Sequence, residues 1–160
     1  MQSFVIGACS TCDLPQDYID RHEIEIVKYT FTINHKEYKD GDMDAHTFFD
    51  MEREGHVATT SQVTPDEYMK LFEKVLASGQ DLLYIAFSSG LSGSYNNAKL
   101  AAEEVRGKYP DRKLYVIDSL CASLGQGLLV DYAIKMRAEG KSIDEVAKWV
   151  EANKLCLNHW

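Results

Sequence analysis

Short apolar runs alternate along the chain with longer segments in which apolar residues recur at helical spacing. Residues 82–87 and 114–117 are continuous apolar runs bounded by turn-forming residues, which is typical of strands covered on both faces. Residues 3–7 predict a strand at the N-terminus. The β-branched and aromatic run 23–33 predicts one long strand that ends in a polar turn at residues 34–36.

Helix starts are marked by capping signals. Thr64, Pro65 and Glu67 supply an N-cap, a proline at the first helical position and a capping-box glutamate. The apolar residues that follow recur on one helical face, at Tyr68, Leu71, Phe72, Val75 and Leu76. Ser142 and Glu145 predict a second capping box at the start of the last helix. Further helices are expected over residues 14–21, 43–54, 94–106 and 125–139.

Strands that alternate with helices predict an α/β fold. Buried strands in such a pattern favour a mostly parallel sheet between two helical layers, a three-layer α/β/α domain. Residues 1–160 carry no internal repeat and no linker, so we expect a single domain.

Composition limits the possible partners and the compartment. The 160 residues include 17 Lys and Arg against 25 Asp and Glu, a net charge of −8, with no basic cluster. This charge argues against a nucleic-acid backbone as partner. No apolar stretch reaches the roughly 18 residues of a membrane span, so we expect no stable membrane insertion. Four cysteines are too few for a secreted disulfide framework, which favours the cytoplasm.

Hydroxyl-rich loops follow the predicted strands. They lie at residues 8–13, 88–94 and 118–123, and residues 59–62 form a fourth such segment. Ligands of open α/β sheets collect at the carboxyl ends of the strands. These segments offer hydroxyls and backbone N–H groups but no Lys or Arg, which suits one carboxylate or a neutral polar head group. The alternative is that each Ser and Thr is an ordinary cap or turn residue.

Enzymatic motifs are incomplete. Residues 90–94 resemble a nucleophile elbow but end in Ser where the motif needs Gly, and none of the five histidines follows a predicted core strand. Cys9 and Cys12 have the spacing of a thiol redox pair, so a thiol oxidoreductase is one alternative function. With Cys121 they could also collect a metal, or be small half-buried core residues. A protein-interaction domain is the remaining alternative.

Several segments match a known family in its own order. They read F-V-I at 4–6, S-T and D-L-P at 10–15, Y-K-D-G at 38–41, T-T-S-Q at 59–62, S-S-G-L-S-G-S-Y at 88–95, and D-S with A-S-L-G-Q-G at 118–127. Through them the chain resembles the DegV family of bacterial fatty-acid-binding proteins over essentially its whole length.

This resemblance implies a function. Family members bind a long-chain fatty acid between two α/β domains and present it to a fatty acid kinase, without contributing a catalytic residue or a cofactor. The resemblance places the fatty-acid carboxylate at Thr60, Ser61, Ser92 and Gly93. Possible pocket-lining positions are Ser10, Thr11, Ser89 and Ser119. Cys9 stands where the family usually has Asp, which raises the hypothesis of a redox-sensitive pocket.

The C-terminal segment and the resemblance lead to one expectation about the domains. Residues 155–160 are apolar and lack a Gly C-cap, as in a chain that continues, and the resemblance covers only the family's N-terminal domain. We therefore expect the family's C-terminal domain to be missing from this chain. If the 160 residues were the whole protein, fatty-acid retention would be weak or absent, because half a pocket buries less apolar surface.

Overall fold

The computed structural model describes residues 4–157. Within that range the strands are Val5–Cys9 (β1), Glu25–Val27 (β2), Thr30–Ile33 (β3), Lys36–Lys39 (β4), Thr59–Ser61 (β5), Leu82–Ala86 (β6) and Leu114–Asp118 (β7). The α-helices are Gln16–His22 (α1), Ala45–Arg53 (α2), Pro65–Ala77 (α3), Ser94–Lys108 (α4), Ser123–Ala138 (α5) and Ile143–Asn153 (α6). Single 3-10 turns occupy Ser10–Cys12 and Lys154–Cys156.

The main sheet is parallel and has helices on both faces, which confirms the predicted fold class. Its strand order is β2-β1-β6-β7, and each neighbouring pair is parallel. In β6, Leu83 and Ile85 face a core that includes residues of α5 and α6. Leu82 and Tyr84 face the opposite core, which includes residues of α3 and α4. β6 is therefore buried on both faces, as its continuous apolar run predicts.

A small antiparallel sheet, with the order β4-β3-β5, lies beside the main one. The run 23–33, expected as one strand, is instead divided between the two sheets, so that prediction is wrong. The chain leaves the main sheet at Lys28 and Tyr29. Tyr29 donates its N–H to the Ser10 hydroxyl and accepts from Asp40 N, and these bonds replace strand pairing. The predicted turn follows, with Asn34 and His35 at φ of 49° and 60°.

Both predicted capping boxes are confirmed. The Thr64 side chain accepts from Glu67 N while the Glu67 carboxylate accepts from Thr64 N, and Ser142 and Glu145 repeat the arrangement. The N-terminal strand begins at Val5, later than predicted, and Ser3 lies outside the described residues. Residues 158–160 of the apolar C-terminal segment also lie outside them.

Candidate ligand site at the carboxyl edge of the sheet

A cavity of about 570 Å³ lies beyond the carboxyl ends of β1 and β6, against β5. We call it the polar cavity. Its lining residues are Thr11, Tyr29, Thr60, Ser61, Gln62, Phe87, Ser89, Leu91, Ser92 and Gly93. The structure thus brings together six of the eight candidate positions, although they come from three separate segments of the chain.

A second cavity of about 400 Å³ adjoins the first, between the small sheet and α2. We call it the apolar cavity. Its lining residues are Thr11, Tyr29, Thr30, Phe31, Asp40, Gly41, Met43, Ala45, Phe48, Phe49, Ala58 and Thr60. Thr11, Tyr29 and Thr60 line both cavities, so the two share a wall of three residues.

Aromatic rings of the small sheet and α2 form one side of the apolar cavity. Phe31 stacks on Tyr38 with ring centroids 5.5 Å apart and meets Phe48 edge-on at 5.3 Å. Phe49 is 49% exposed. Sequence reasoning missed this cavity, because it forms between α2 and a small sheet that the sequence did not predict. The signal available in the sequence was the pair Phe48 and Phe49, two adjacent aromatic residues in an otherwise largely polar helix.

Ser92 is held in a network of hydroxyl groups at the start of α4. Its hydroxyl donates to Ser94 Oγ at 3.0 Å and accepts from Ser94 N at 3.2 Å. Ser94 is buried, and its Oγ accepts from Val63 N at 3.1 Å. Asn97 donates to the Val63 carbonyl at 2.8 Å. These bonds fix the segment after β5 against the loop 88–94, and so hold two walls of the polar cavity together.

Gly93 allows a close approach between those two walls. A Cβ at residue 93 would lie 2.5 Å from Oε1 of Gln62 and 2.9 Å from its Cδ. Gly93 has an ordinary helical backbone, with φ of −69°. A side chain at position 93 is therefore limited by the space that Gln62 takes at the cavity wall and not by the backbone angles.

A buried polar network on the core side of Thr11 holds its side chain in position. Its hydroxyl donates to Oε1 of Gln126 at 3.2 Å, and Gln126 Nε2 donates to the Ile85 carbonyl at 2.9 Å and to Cys9 Sγ at 3.1 Å. Gln126 is completely buried at the N-terminal end of α5. Sequence reasoning gave Gln126 no role, although a glutamine on the buried side of a helix was a signal for such a network.

Ser10 and Ser119 lie away from both cavities. Ser10 Oγ accepts from Tyr29 N at 3.0 Å. Ser119 is completely buried, and its hydroxyl donates to the Cys121 carbonyl and accepts from Cys121 N. The Ser119 hydroxyl has the turn-forming role that the sequence left open for it. The Ser10 hydroxyl instead satisfies a backbone group 19 residues away along the chain.

The cavity walls carry little charge. Among the residues that line the two cavities, all within the described part of the chain, Asp40 alone is charged. The polar cavity presents hydroxyls of Thr and Ser, a tyrosine, and the Gln62 amide. Such groups donate hydrogen bonds without titrating near neutral pH.

Three of the four cysteines are buried, and Cys156 is exposed. None forms a disulfide within residues 4–157. Burial raises the pKa of Cys12 to about 11 and also raises the pKa of Cys121.

Among residues 4–157 no group of three His, Cys, Asp or Glu side chains is placed to hold a metal ion. No helix found among these residues is both long and apolar enough to cross a bilayer.

The fold and the two cavities define an α/β domain with an open cavity at the carboxyl edge of its parallel sheet. Residues 4–158 match the family model described as "Uncharacterised protein, DegV family", and the chain belongs to that family.

Relatives and solved structures agree with this assignment. A DegV domain-containing protein of Clostridium perfringens is 41% identical over all of this chain and 56% of its own length. A DegV family protein from Thermus thermophilus, described by its fatty acid binding, superposes with a TM-score of 0.86 at 30% identity, over 97% of this chain and 54% of that one.

A third match is the Streptococcus pneumoniae fatty acid kinase B3 protein loaded with linoleic acid. It superposes with a TM-score of 0.80 at 25% identity, over 97% of this chain and 55% of that protein. The chain thus spans about half the length of the proteins it matches.

Proposed function

We propose that this chain binds a long-chain fatty acid, with the carboxylate in the polar cavity and the hydrocarbon chain in the apolar cavity. The observation that carries the proposal is the wall shared by the two cavities, formed by Thr11, Tyr29 and Thr60. A polar and an apolar cavity joined in this way fit an amphipathic ligand. The fatty acid binding described for the Thermus thermophilus protein supports this choice of ligand.

The head group is held by neutral donors. Thr60 and Ser61 offer hydroxyls, and Ser92 can do so when its proton turns from Ser94 Oγ to the ligand. The Gly93 N–H lies at the start of α4, where the helix dipole favours negative charge. A hydrogen bond to a charged acceptor contributes about 1.5–3 kcal/mol, so a few such donors orient a carboxylate without a buried cation.

The hydrocarbon chain supplies most of the affinity. Each methylene group removed from water contributes about 0.8 kcal/mol, so a long acyl chain gains on the order of ten kcal/mol before the cost of ordering it. The rings of Phe31, Phe48 and Phe49 provide the apolar surface against which it packs.

We further propose a carrier role without catalysis, in which the bound acid is presented to a fatty acid kinase. The match to the pneumococcal fatty acid kinase B3 protein supports this role.

The three buried cysteines, which form no disulfide among the described residues, fit a reducing compartment and support a cytoplasmic location. The alternative of a thiol oxidoreductase is disfavoured, because Cys9 and Cys12 are both completely buried and a redox-active thiol must be accessible to its substrate.

The test is a binding titration of the purified protein, with the family's second domain present if the gene encodes it, using fatty acid labelled with ¹³C at the carboxyl carbon. We expect a bound carboxyl resonance with saturable intensity, and denaturing extraction followed by mass spectrometry identifies any acid that co-purifies. A two-domain protein that carries no fatty acid and also fails to bind added oleic acid would contradict the proposal.

A further inference from the structure

A third cavity, of about 440 Å³, follows the open edge of the main sheet. We call it the edge groove. It is lined by β2, by Lys28 and Lys39, and by the α3 residues Glu67, Lys70, Leu71 and Lys74. Ile26 and Val27 of β2 pack against the two opposite cores, yet both line the groove. Since neighbouring side chains of a strand point to opposite faces, the groove runs along the edge of β2 and not over one face of the sheet.

The backbone of β2 lacks a partner on its outer side. Within residues 4–157 the strand pairs with β1 alone, as the first in the order β2-β1-β6-β7, and its residues make no backbone hydrogen bond outside that pairing. An edge strand presents a row of unpaired N–H and C=O groups, which is a template for a further strand. The edge groove therefore offers backbone groups as well as side chains.

Lysines surround this edge. Four line the groove, from separate parts of the chain: Lys28, Lys39, Lys70 and Lys74. The Lys74 ammonium lies 2.7 and 2.9 Å from the carboxylate oxygens of Glu25, and the Glu67 carboxylate is engaged at the N-cap of α3. The ammonium groups of the other three lysines have no ion-pair partner among residues 4–157. The edge groove is thus a positive region on a chain whose net charge is −8.

We propose that the edge groove binds an extended acidic segment of a partner protein, which adds a strand to β2 and places its carboxylates among the lysines. Strand addition supplies partners to the open backbone groups, and the half-buried Ile26 and Leu71 offer apolar surface to other side chains of the segment. The acidic remainder of the protein repels such a segment, so attraction is confined to this groove. The groove shares no residue with the polar or the apolar cavity, so this inference does not depend on fatty-acid binding.

Two other roles for the lysines lead to different results. Lysines at a strand edge protect it from pairing with other copies of the chain, a role that needs no ligand. A nucleic-acid backbone would match the charge of the groove, but its phosphates offer no N–H groups to pair with the carbonyls of β2. The experiment therefore varies the charge and the strand-forming capacity of the ligand separately.

The probe is a short fluorescent peptide of alternating Glu and Val, titrated with the purified protein, including the family's second domain if the gene encodes it. Fluorescence anisotropy measures its affinity. We expect saturable binding that weakens as salt is added, because salt screens the lysines. A peptide of the same charge with proline at its centre should bind about tenfold or more weakly, since proline removes a backbone donor and disfavours strand pairing.

Two double variants test the location of binding. Lys28→Glu with Lys70→Glu should weaken binding of the Glu-Val peptide about tenfold or more, because attraction becomes repulsion. Lys99→Glu with Lys148→Glu makes the same change in net charge at exposed positions outside the groove, and should bind the peptide as the wild type does. All four substituted lysines are exposed, so both variants should melt near the wild-type temperature.

Four results would overturn the inference. If the Glu-Val peptide does not bind, the lysines only protect the edge. If the proline peptide binds equally well, no strand is added to β2. Equal losses in the two double variants would show that net charge, and not the groove, attracts the peptide. Tighter binding of a short oligothymidylate than of the Glu-Val peptide would identify nucleic acid as the ligand.

Discussion

The amide nitrogen of Tyr29 lies 3.0 Å from the hydroxyl oxygen of Ser10, to which it donates a hydrogen bond. This bond ties the connection between the two sheets to the loop that follows β1. Ser10 is thus a structural support for a cavity that it does not line.

Ser10→Ala should therefore lower both stability and ligand affinity. The substitution leaves the Tyr29 N–H without its acceptor, which costs about 1–2 kcal/mol in the free energy of unfolding. Urea denaturation measures the first effect and fatty-acid titration the second. Ser89→Ala is the control for stability, because Ser89 lines the polar cavity but is exposed. Equal stability of Ser10→Ala and Ser89→Ala would refute this role for Ser10.

Thr60→Ala should weaken fatty-acid binding with little effect on stability. Thr60 is exposed, and within residues 4–157 its hydroxyl makes no side-chain hydrogen bond, so its removal costs the fold little. We expect a loss of about 1.5–3 kcal/mol of binding free energy if the hydroxyl contacts the carboxylate. Thr59→Ala is the matched control, since Thr59 is the neighbour of Thr60 in β5 and lines neither cavity. Similar losses in both variants would argue against a specific contact.

Two glycine substitutions should have opposite consequences. In Gly93→Ala the new Cβ meets only the end of the exposed Gln62 side chain, which can move, so stability should hold while the cavity wall changes and affinity falls. In Gly127→Ala the new Cβ would lie 2.5 Å from the Cys12 backbone carbonyl, which cannot move freely. We expect a loss of about 1–3 kcal/mol or more in stability. Thermal denaturation distinguishes the two, and a Gly127→Ala variant as stable as the wild type would contradict the packing described.

Thiol reactivity should be confined to one cysteine in the native protein. Cys156 is exposed, whereas Cys9 and Cys12 are completely buried and burial raises the pKa of Cys12 to about 11. At pH 8 a disulfide reagent should therefore modify one thiol rapidly and the others only on unfolding. Cys156→Ser should abolish the rapid phase. Rapid modification of Cys12 would instead revive the redox hypothesis.

Tyr18→Phe should destabilise the protein in a pH-dependent way. The Tyr18 hydroxyl donates to Asp131 Oδ1 at 2.6 Å and joins α1 to α5. Burial raises the Asp131 pKa, but the hydrogen bonds from Lys135 and Tyr18 lower it by more, so it lies below its ordinary value. The stabilisation is therefore present above about pH 4 and is lost as pH falls through the lowered pKa.

Burial, together with the bond to Asp131, raises the Tyr18 pKa to about 12, so its contribution persists to about pH 10 and is lost as pH rises toward 12. At pH 7 we expect a loss of about 1–2 kcal/mol, measured by urea denaturation. Lys135→Gln is the control. Lys135 is largely exposed, and its loss should cost no more than about 1 kcal/mol. A Tyr18 effect that is constant from pH 2 to 7 would contradict this account.

The main sheet and its helices could be predicted because their signals are local. The apolar runs of β6 and β7 and the capping boxes at Thr64 and Ser142 each lie within a few residues. The small sheet could not be predicted. Most residues of β4 and all of β5 are exposed, so their sequences carry no apolar alternation, and only pairing with β3 makes them strands.

The candidate site was predictable only as a set of segments. Strand-end loops meet at one edge of a parallel sheet, which is why Thr11, Ser89 and Ser92 lie around one cavity. Composition alone does not say where each hydroxyl points, so Ser119 was a possible pocket-lining residue although its hydroxyl bonds the backbone of its own loop. Tyr29 could not be predicted as a cavity residue, because it lies within the run 23–33, which resembles one unbroken strand.

Asp40 favours one orientation of an amphipathic ligand in the two cavities over the other. It lines the apolar cavity and is absent from the polar one, so a carboxylate that entered the wrong way round would face a like charge. The same repulsion acts on any ligand with an acidic group at both ends. A dicarboxylic acid of equal length should consequently bind more weakly than the simple fatty acid, because its second carboxylate would have to lie near Asp40.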